Sequence, residues 1–136
     1  MAAKNLLALD VGEKRIGMAM ADTGVKIAVP FGYLEHTETV MTQLAEVLLR
    51  HDIDTVVVGY PRNQSGEPTA QTAFVESFVA DMAQLEIDAD IVYQDESLTS
   101  VQAEQRLGRV KDKGEIDAEA ASIILQDYLE ATYGDS

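Results

Sequence analysis

Three strand candidates in close succession, then strand-like and helix-like patterns in alternation, predict an α/β fold. The expected architecture is a mixed sheet of five strands, three antiparallel and then two parallel, with helices on both faces. Length and composition agree. A chain of 136 residues, 46% hydrophobic and 25% charged, suits a single domain over residues 1–136 with a core that needs no staples.

The elements follow in order. Leu6-Leu7-Ala8-Leu9-Asp10 is a short apolar run that ends on an acid, and Val11-Gly12-Glu13-Lys14 reads as a turn. Residues 15–22 form a second strand, Thr23-Gly24 a second turn, and residues 26–34 a third strand. Short connections make these three an antiparallel meander. Pro30 cannot donate to a ladder, which places the third strand at an edge. The period then changes. Val40, Leu44, Val47 and Leu48 fall at i, i+4, i+7 and i+8, the stripe of an amphipathic helix with Thr37 as candidate N-cap.

Thr55-Val56-Val57-Val58-Gly59 is the β-branched run of a parallel strand covered on both faces. Residues 61–68, rich in Pro, Asn, Ser and Gly, form a loop. Phe74, Val75, Phe78, Val79, Met82 and Leu85 make a second helical stripe behind Thr69 as cap. Residues 89–93 are the fifth strand. Residues 97–109 and 117–133 are two more helices, the last with a core face of Ala121, Ile124, Leu125 and Tyr128.

Composition narrows the chemistry. The absence of cysteine excludes disulfides, thiolate metal sites and cysteine nucleophiles. No apolar run approaches the roughly 18 residues of a membrane span, and the first residues lack the apolar core of a secretory leader, so the expected compartment is the cytoplasm. The net charge is −14, from 10 basic and 24 acidic residues. Coating nucleic acid rests on cations, so that role is disfavoured; an enzyme holding phosphates through metal ions and a small basic rim is not. The cations are unevenly placed. Lys14, Arg15, Arg62, Arg106, Arg109, Lys111 and Lys113 gather near a few predicted turns, while no Lys or Arg occurs between Arg62 and Arg106 or after Lys113.

Ligands of such sheets bind beyond the carboxyl ends of the parallel strands. Asp10 ends the first strand, Asp95 and Glu96 follow the fifth, and Asp117 opens the last helix. Carboxylates drawn together repel, so a site holding three needs a cation, and hard oxygen donors select Mg²⁺ or Mn²⁺. Each acid also has a plainer reading: Asp117 as an N-cap, Asp10 as a turn residue, Asp95 and Glu96 as a solvated loop. Neighbours on an extended segment point to opposite faces, so only one of Asp95 and Glu96 can be a ligand, and spacing leaves both open. His36 and His51 bracket the first helix, away from the expected site. Tyr60 and Tyr93, at strand ends, suit packing or base stacking. Ser97 has no nearby histidine, so a Ser-His-Asp triad finds no support.

Four ordered blocks carry a family resemblance. The segment Leu7 to Ala19 (LALDVGEKRIGMA), the block Val57 to Gly66 (VVGYPRNQSG), Asp95-Glu96-Ser97-Leu98-Thr99-Ser100 with Ala103-Glu104, and Ile116 to Leu129 (IDAEAASIILQDYL) resemble the YqgF/RuvX family. Its members are RNase H-like proteins described as Holliday-junction resolvases and as pre-16S ribosomal RNA nucleases. The resemblance implies an RNase H-like fold and a metal-dependent nuclease. Asp10, Glu96 and Asp117 would be catalytic and metal-binding, with Mg²⁺ or Mn²⁺ as cofactor, and Glu96 rather than Asp95 would be the ligand. It also implies Asn63 as a substrate contact beside the basic residues Lys14, Arg15, Arg62, Arg109, Lys111 and Lys113. Two positions depart from the family pattern: Ser97 stands where it has Arg, and Glu115 where it commonly has Lys, which thins the phosphate clamp.

The expected partner is nucleic acid, structured or precursor ribosomal RNA ahead of DNA, in processing of the 5′ end of pre-16S RNA, with the ribosome or an assembly intermediate alongside. A junction-resolving DNA nuclease is the first alternative. Another is an RNA- or ribosome-binding factor that keeps the fold without turnover. A third is suggested by Asp10-x-Gly12, which resembles the first phosphate loop of actin-like ATPases, although that fold needs two such domains.

Overall fold

A computed structural model describes residues 3–61, 69–96 and 113–134 of the chain. Most of the loop expected over 61–68 and all of the helix expected over 97–109 lie outside the described residues, as do Arg62, Asn63, Arg109 and Lys111. The elements are β1 (Asn5–Val11), β2 (Arg15–Asp22), β3 (Val29–Glu35), α1 (Val40–Arg50), β4 (Thr55–Pro61), α2 (Ala70–Ala83), β5 (Asp90–Glu96) and α3 (Lys113–Tyr133). The strands form one sheet in the order β3-β2-β1-β4-β5. β1–β2 and β2–β3 pair antiparallel, β1–β4 and β4–β5 parallel. The mixed five-stranded sheet is therefore as the sequence predicts, with β3 at an edge. The middle strand is β1, and β4, the strand that precedes Arg62, lies between β1 and β5.

Side-chain parity sorts the sheet into two faces. Leu7, Leu9 and Val11 of β1 and Val56 and Val58 of β4 bury against Val40, Leu44 and Leu48 of α1 and Val75, Phe78 and Met82 of α2. Leu6, Ala8, Ala19 and Val57, of the other parity, bury against Ala121, Ile124, Leu125 and Leu129 of α3. Val56, Val57 and Val58 are all buried, which explains the unbroken apolar run: β4 has helices on both sides. Each such side chain contributes about 1.5–3 kcal/mol by leaving water. Among the described residues no helix is long and apolar enough to cross a membrane.

Three boundaries differ from expectation. The third strand starts at Val29, because the preceding turn is longer: Asp22 Oδ1 accepts from the Val25 amide at 2.7 Å and Lys26 adopts a positive φ of 63°. α1 is preceded by Thr39, whose side chain makes no capping bond; Thr37 instead closes a turn, its carbonyl accepting from the Val40 amide at 3.2 Å. The last helix begins at Lys113, not at Asp117. Thr69 does cap α2, in a reciprocal capping box with Thr72.

β3 carries an irregularity with consequences for the site. Val29 pairs with Met20 and Pro30 with Ala19, but Gly32 pairs with Met18, so Phe31 is an extra residue. Gly32, at φ +93°, takes the backbone geometry the bulge requires. One inserted residue reverses the parity of everything after it. Tyr33 therefore pairs with Gly17 on the face covered by α3, whereas Val29 lies on the other. Replacing Thr69 by Ala, which removes the α2 cap, is expected to lower unfolding free energy by about 1 kcal/mol in urea denaturation.

Candidate active site

The β1–β2 connection sets the first acid. Gly12-Glu13-Lys14 is a three-residue turn closed by the Gly12 amide donating to the Arg15 carbonyl at 3.0 Å. A Cβ on Gly12 would come within 2.7 Å of that same oxygen, so the turn is built for glycine. Two other elements hold it. The His36 amide donates to the Lys14 carbonyl at 2.9 Å, and His36 Nδ1 lies 3.0 Å from the Gly12 carbonyl, to which the Nδ1–H tautomer donates. Gln71 Nε2 donates to the Val11 carbonyl at 3.3 Å. His36 is thus beside the site, contrary to the sequence expectation. An antiparallel β3 returns its end to the β1–β2 turn, and the ring packs on Phe74 and Phe78 with centroids 5.5 and 5.6 Å away. The meander itself carried that signal.

Asp10 sits on β1 opposite Gly17 of β2, with the parity of Leu6 and Ala8, on the face that α3 covers. A Cβ on Gly17 would collide with the backbone carbonyl of Asp117. The helix backbone therefore seats on the one position of that row that has no side chain, directly beside Asp10. Asp117 stands one turn ahead of Ala121 on the stripe that continues through Ile124, Leu125 and Tyr128. It is a sheet-facing residue inside the helix and not its cap. Arg15 fixes it: Nε donates to Asp117 Oδ2 at 2.8 Å, with both side chains about a quarter exposed. Two acids 107 positions apart in the chain thus both adjoin Gly17, Asp10 across the β1–β2 ladder and Asp117 through its backbone carbonyl.

Position 96 is the last residue of β5, paired with Pro61. Carrying the β1–β4 register one residue past Leu9↔Val58 sets Asp10 beside Gly59, which pairs with Gln94. Position 96 shares the parity of Gln94 and Asp10; position 95 has the opposite one. The backbone of Glu96 is described and its side chain is not. Among the described residues no three metal-ligating side chains form a cluster. Asp95 shares its face with Tyr60 and Tyr93, whose rings meet edge-on at 4.7 Å, while the Tyr60 hydroxyl donates to Glu76 at 3.3 Å. Burial, then the charge of Glu76 and the neighbouring Tyr60, raise the Tyr93 phenol above its ordinary pKa. That pair packs on the face away from Asp10.

Of the seven sequence-predicted substrate contacts, three are described. Lys14, Arg15 and Lys113 line one open depression of about 630 Å³ beside the acids, together with Tyr33, Glu35 and His36. Ser97 lies outside the described residues, and Glu115 is exposed in the first turn of α3.

Residues 4–131 match the family model for RuvX, described as Holliday junction resolvase. The chain belongs to this family. A curated relative from Chloroflexus aggregans is 40% identical over 138 residues, 96% of each chain. Another, from Chloroflexus aurantiacus, is 41% identical over 133 residues, 93% of this chain and 86% of its own. Both carry the provisional name pre-16S rRNA nuclease. Among solved structures, RuvC of Thermus thermophilus in complex with Holliday junction substrate matches with a TM-score of 0.59 over 96% of each chain, at 16% identity. The fowlpox virus resolvase bound to junction DNA matches with a TM-score of 0.53 over 93% of this chain and 97% of its own, at 12% identity. At those identities the likeness is one of fold, and the fold is RNase H-like as the sequence resemblance implies. The family makes the chain a nuclease, an enzyme that hydrolyses phosphodiester bonds, and leaves the actin-like reading of Asp10-x-Gly12 without support.

Two outcomes follow from the seating of α3. Gly17→Ala is expected to lower stability by about 1–3 kcal/mol through overpacking against Asp117, read as a fall in the denaturation midpoint. A double-mutant cycle of Arg15→Met and Asp117→Asn should give a coupling of about 1 kcal/mol that shrinks with added salt.

Proposed function

We propose that this chain is a Mg²⁺- or Mn²⁺-dependent nuclease that trims the 5′ end of precursor 16S ribosomal RNA. It would act as one cytoplasmic domain on the ribosome or an assembly intermediate, with Asp10, Glu96 and Asp117 as its metal-holding, catalytic acids. The observation that carries the reading is the meeting of Asp10 and Asp117 across Gly17, on the sheet face whose parity position 96 shares. Strand spacing and rise put the α-carbons of residues 10 and 96 about 12 Å apart, a gap that two metal ions about 3.5–4 Å apart and their ligand bonds can fill.

The donor set suits the cofactor. Carboxylate oxygens are the hard ligands these cations prefer, and among the described residues Arg15 engages only one oxygen of Asp117. Bound there, Mg²⁺ or Mn²⁺ would offset the carboxylate charge, acidify a water and stabilise the leaving oxygen. The chain's own residues do the rest. Arg15 holds Asp117 in one rotamer and keeps its remaining N–H groups for a phosphate. Lys14, at the tip of the turn, and Lys113, at the start of α3, flank the acids and supply the positive rim; Arg62, Asn63, Arg109 and Lys111 complete the set of substrate contacts. His36 and Gln71 keep the turn after Asp10 from shifting.

The relatives' name favours ribosomal RNA as the substrate. A second reading, junction DNA, is favoured by the description of the family model. Labelled precursor 16S leader RNA and a four-way DNA junction, each incubated with Mn²⁺, Mg²⁺ or chelator, test both. Cleavage of the leader should require metal and fall about 10³-fold or more in Asp10→Asn, Glu96→Gln and Asp117→Asn, since each removes a ligand worth several kcal/mol at the transition state. Faster cutting of the junction would reassign the substrate. Metal-independent cleavage, or full activity in Asp10→Asn, would overturn the assignment of the acids.

A further inference from the structure

Tyr33 is the residue of the depression beside the acids that nothing in the metal chemistry requires. It lies on the edge strand with 43% of its surface exposed, an unusual place for an aromatic ring in an otherwise polar depression. Its position is built, not incidental. The bulge at Phe31 and the positive-φ Gly32 turn residue 33 onto the α3 face. There Gly114 packs so closely on ring atoms Cδ1, Cε1 and Cζ that any Cβ at 114 would collide with them. A ring held against helix backbone while much of the residue stays exposed loses little freedom when something stacks on it.

The surroundings say what would stack. Lys14 and Lys113 are exposed and line the same depression, whose wall also carries Arg15, Glu13 and Glu35, so three cations and two carboxylates surround the ring in a chain whose net charge is −14. Tyr33, Gly17 and Asp10 lie in one row across three adjacent strands, so the α-carbons of Tyr33 and Asp10 are about 10 Å apart, two strand spacings. The α3 backbone stands on Gly17 between them, and the depression reaches the acids through Arg15, which lines it and holds Asp117. An aromatic face with cations beside it, one short step from the acids, is the arrangement that binds a single-stranded nucleotide: the base stacks and the phosphates meet the ammonium groups. We infer that Tyr33, Lys14 and Lys113 form a subsite for one unpaired nucleotide next to the scissile bond. The substrate therefore enters the active site single-stranded on that side. The inference rests on the nuclease reading for its location, and it names the strand state of the substrate, which that reading leaves open.

The test is equilibrium binding to a labelled single-stranded RNA oligonucleotide and to its duplex, in chelator so that nothing is cut, across a range of salt. Tyr33→Ala should weaken single-strand binding about 5- to 100-fold, the range expected for loss of one stacked base, and leave duplex binding within about twofold. Tyr33→Phe should keep the single-strand affinity, since it retains both the packing on Gly114 and the stacking face. Lys14→Gln and Lys113→Gln should weaken both ligands and each flatten the salt dependence by about one phosphate contact. Unchanged single-strand binding in Tyr33→Ala would overturn the subsite. So would an equal loss on duplex, a loss in Tyr33→Phe as large as in Tyr33→Ala, or displacement of the oligonucleotide by poly-glutamate of matched charge as readily as by unlabelled RNA. Failure here is separable from failure of the nuclease reading, which is decided by metal-dependent cleavage in Asp10→Asn and needs no change at Tyr33.

Discussion

The contact on which the site depends is between two stretches of backbone. α3 comes down onto β2 at Gly17, close enough that a single methyl group would hold it off. Everything near the acids follows from that approach. It sets Asp117 next to Asp10, puts Arg15 within 2.8 Å of the Asp117 carboxylate, and lets Gly114 sit against Tyr33. A pair of acids costs energy unless something offsets the repulsion. Arg15 supplies part of that offset, and the rigid seating of the helix keeps the acids from relaxing apart.

The two faces of the sheet divide the labour. The face toward α1 and α2 is almost wholly apolar and holds the fold together. The face toward α3 is apolar only toward the amino end of β1, where Leu6, Ala8 and Val57 meet Ile124, Leu125 and Leu129. One residue pair further along, at Asp10 and Gly17, it turns polar. Asp10 thus closes a strand whose preceding residues are locked in the core, which gives the acid a rigid base at a partly buried position. The turn beyond Asp10 would be the loose part of such a design. His36 and Gln71 bond to it from two different elements, and His36 is itself wedged against Phe74 and Phe78.

Charge is arranged on the same plan. A net charge of −14 repels nucleic acid at long range and discourages indiscriminate binding. Against that background, Lys14, Arg15 and Lys113 gather in one depression beside Glu13 and Glu35, a local concentration of cations in an acidic chain.

Much of this was legible in the chain. Strand and helix identity follows from local pattern where that pattern is plain: the Val56–Val58 run of β4 and the amphipathic stripe of α1. Pro30 put β3 at an edge because a missing donor is a local property. That Asp10 closes a strand was readable for the same reason. What the sequence could not decide were contacts between distant segments. Spacing leaves Asp95 and Glu96 equal; the family resemblance favours Glu96, and the pairing of β5 with β4, carried across to β1, separates the two by parity. Asp117 read as a cap because its helix starts four residues earlier than the apolar stripe suggests. His36 is remote from Asp10 along the chain and adjoins its turn only once β3 pairs with β2. Nothing local singles out Tyr33, because one inserted residue in β3 decides which face it occupies. Side-chain parity and strand order are properties of the assembled sheet. A sequence fixes which residues can alternate, and packing alone fixes what each alternation points toward.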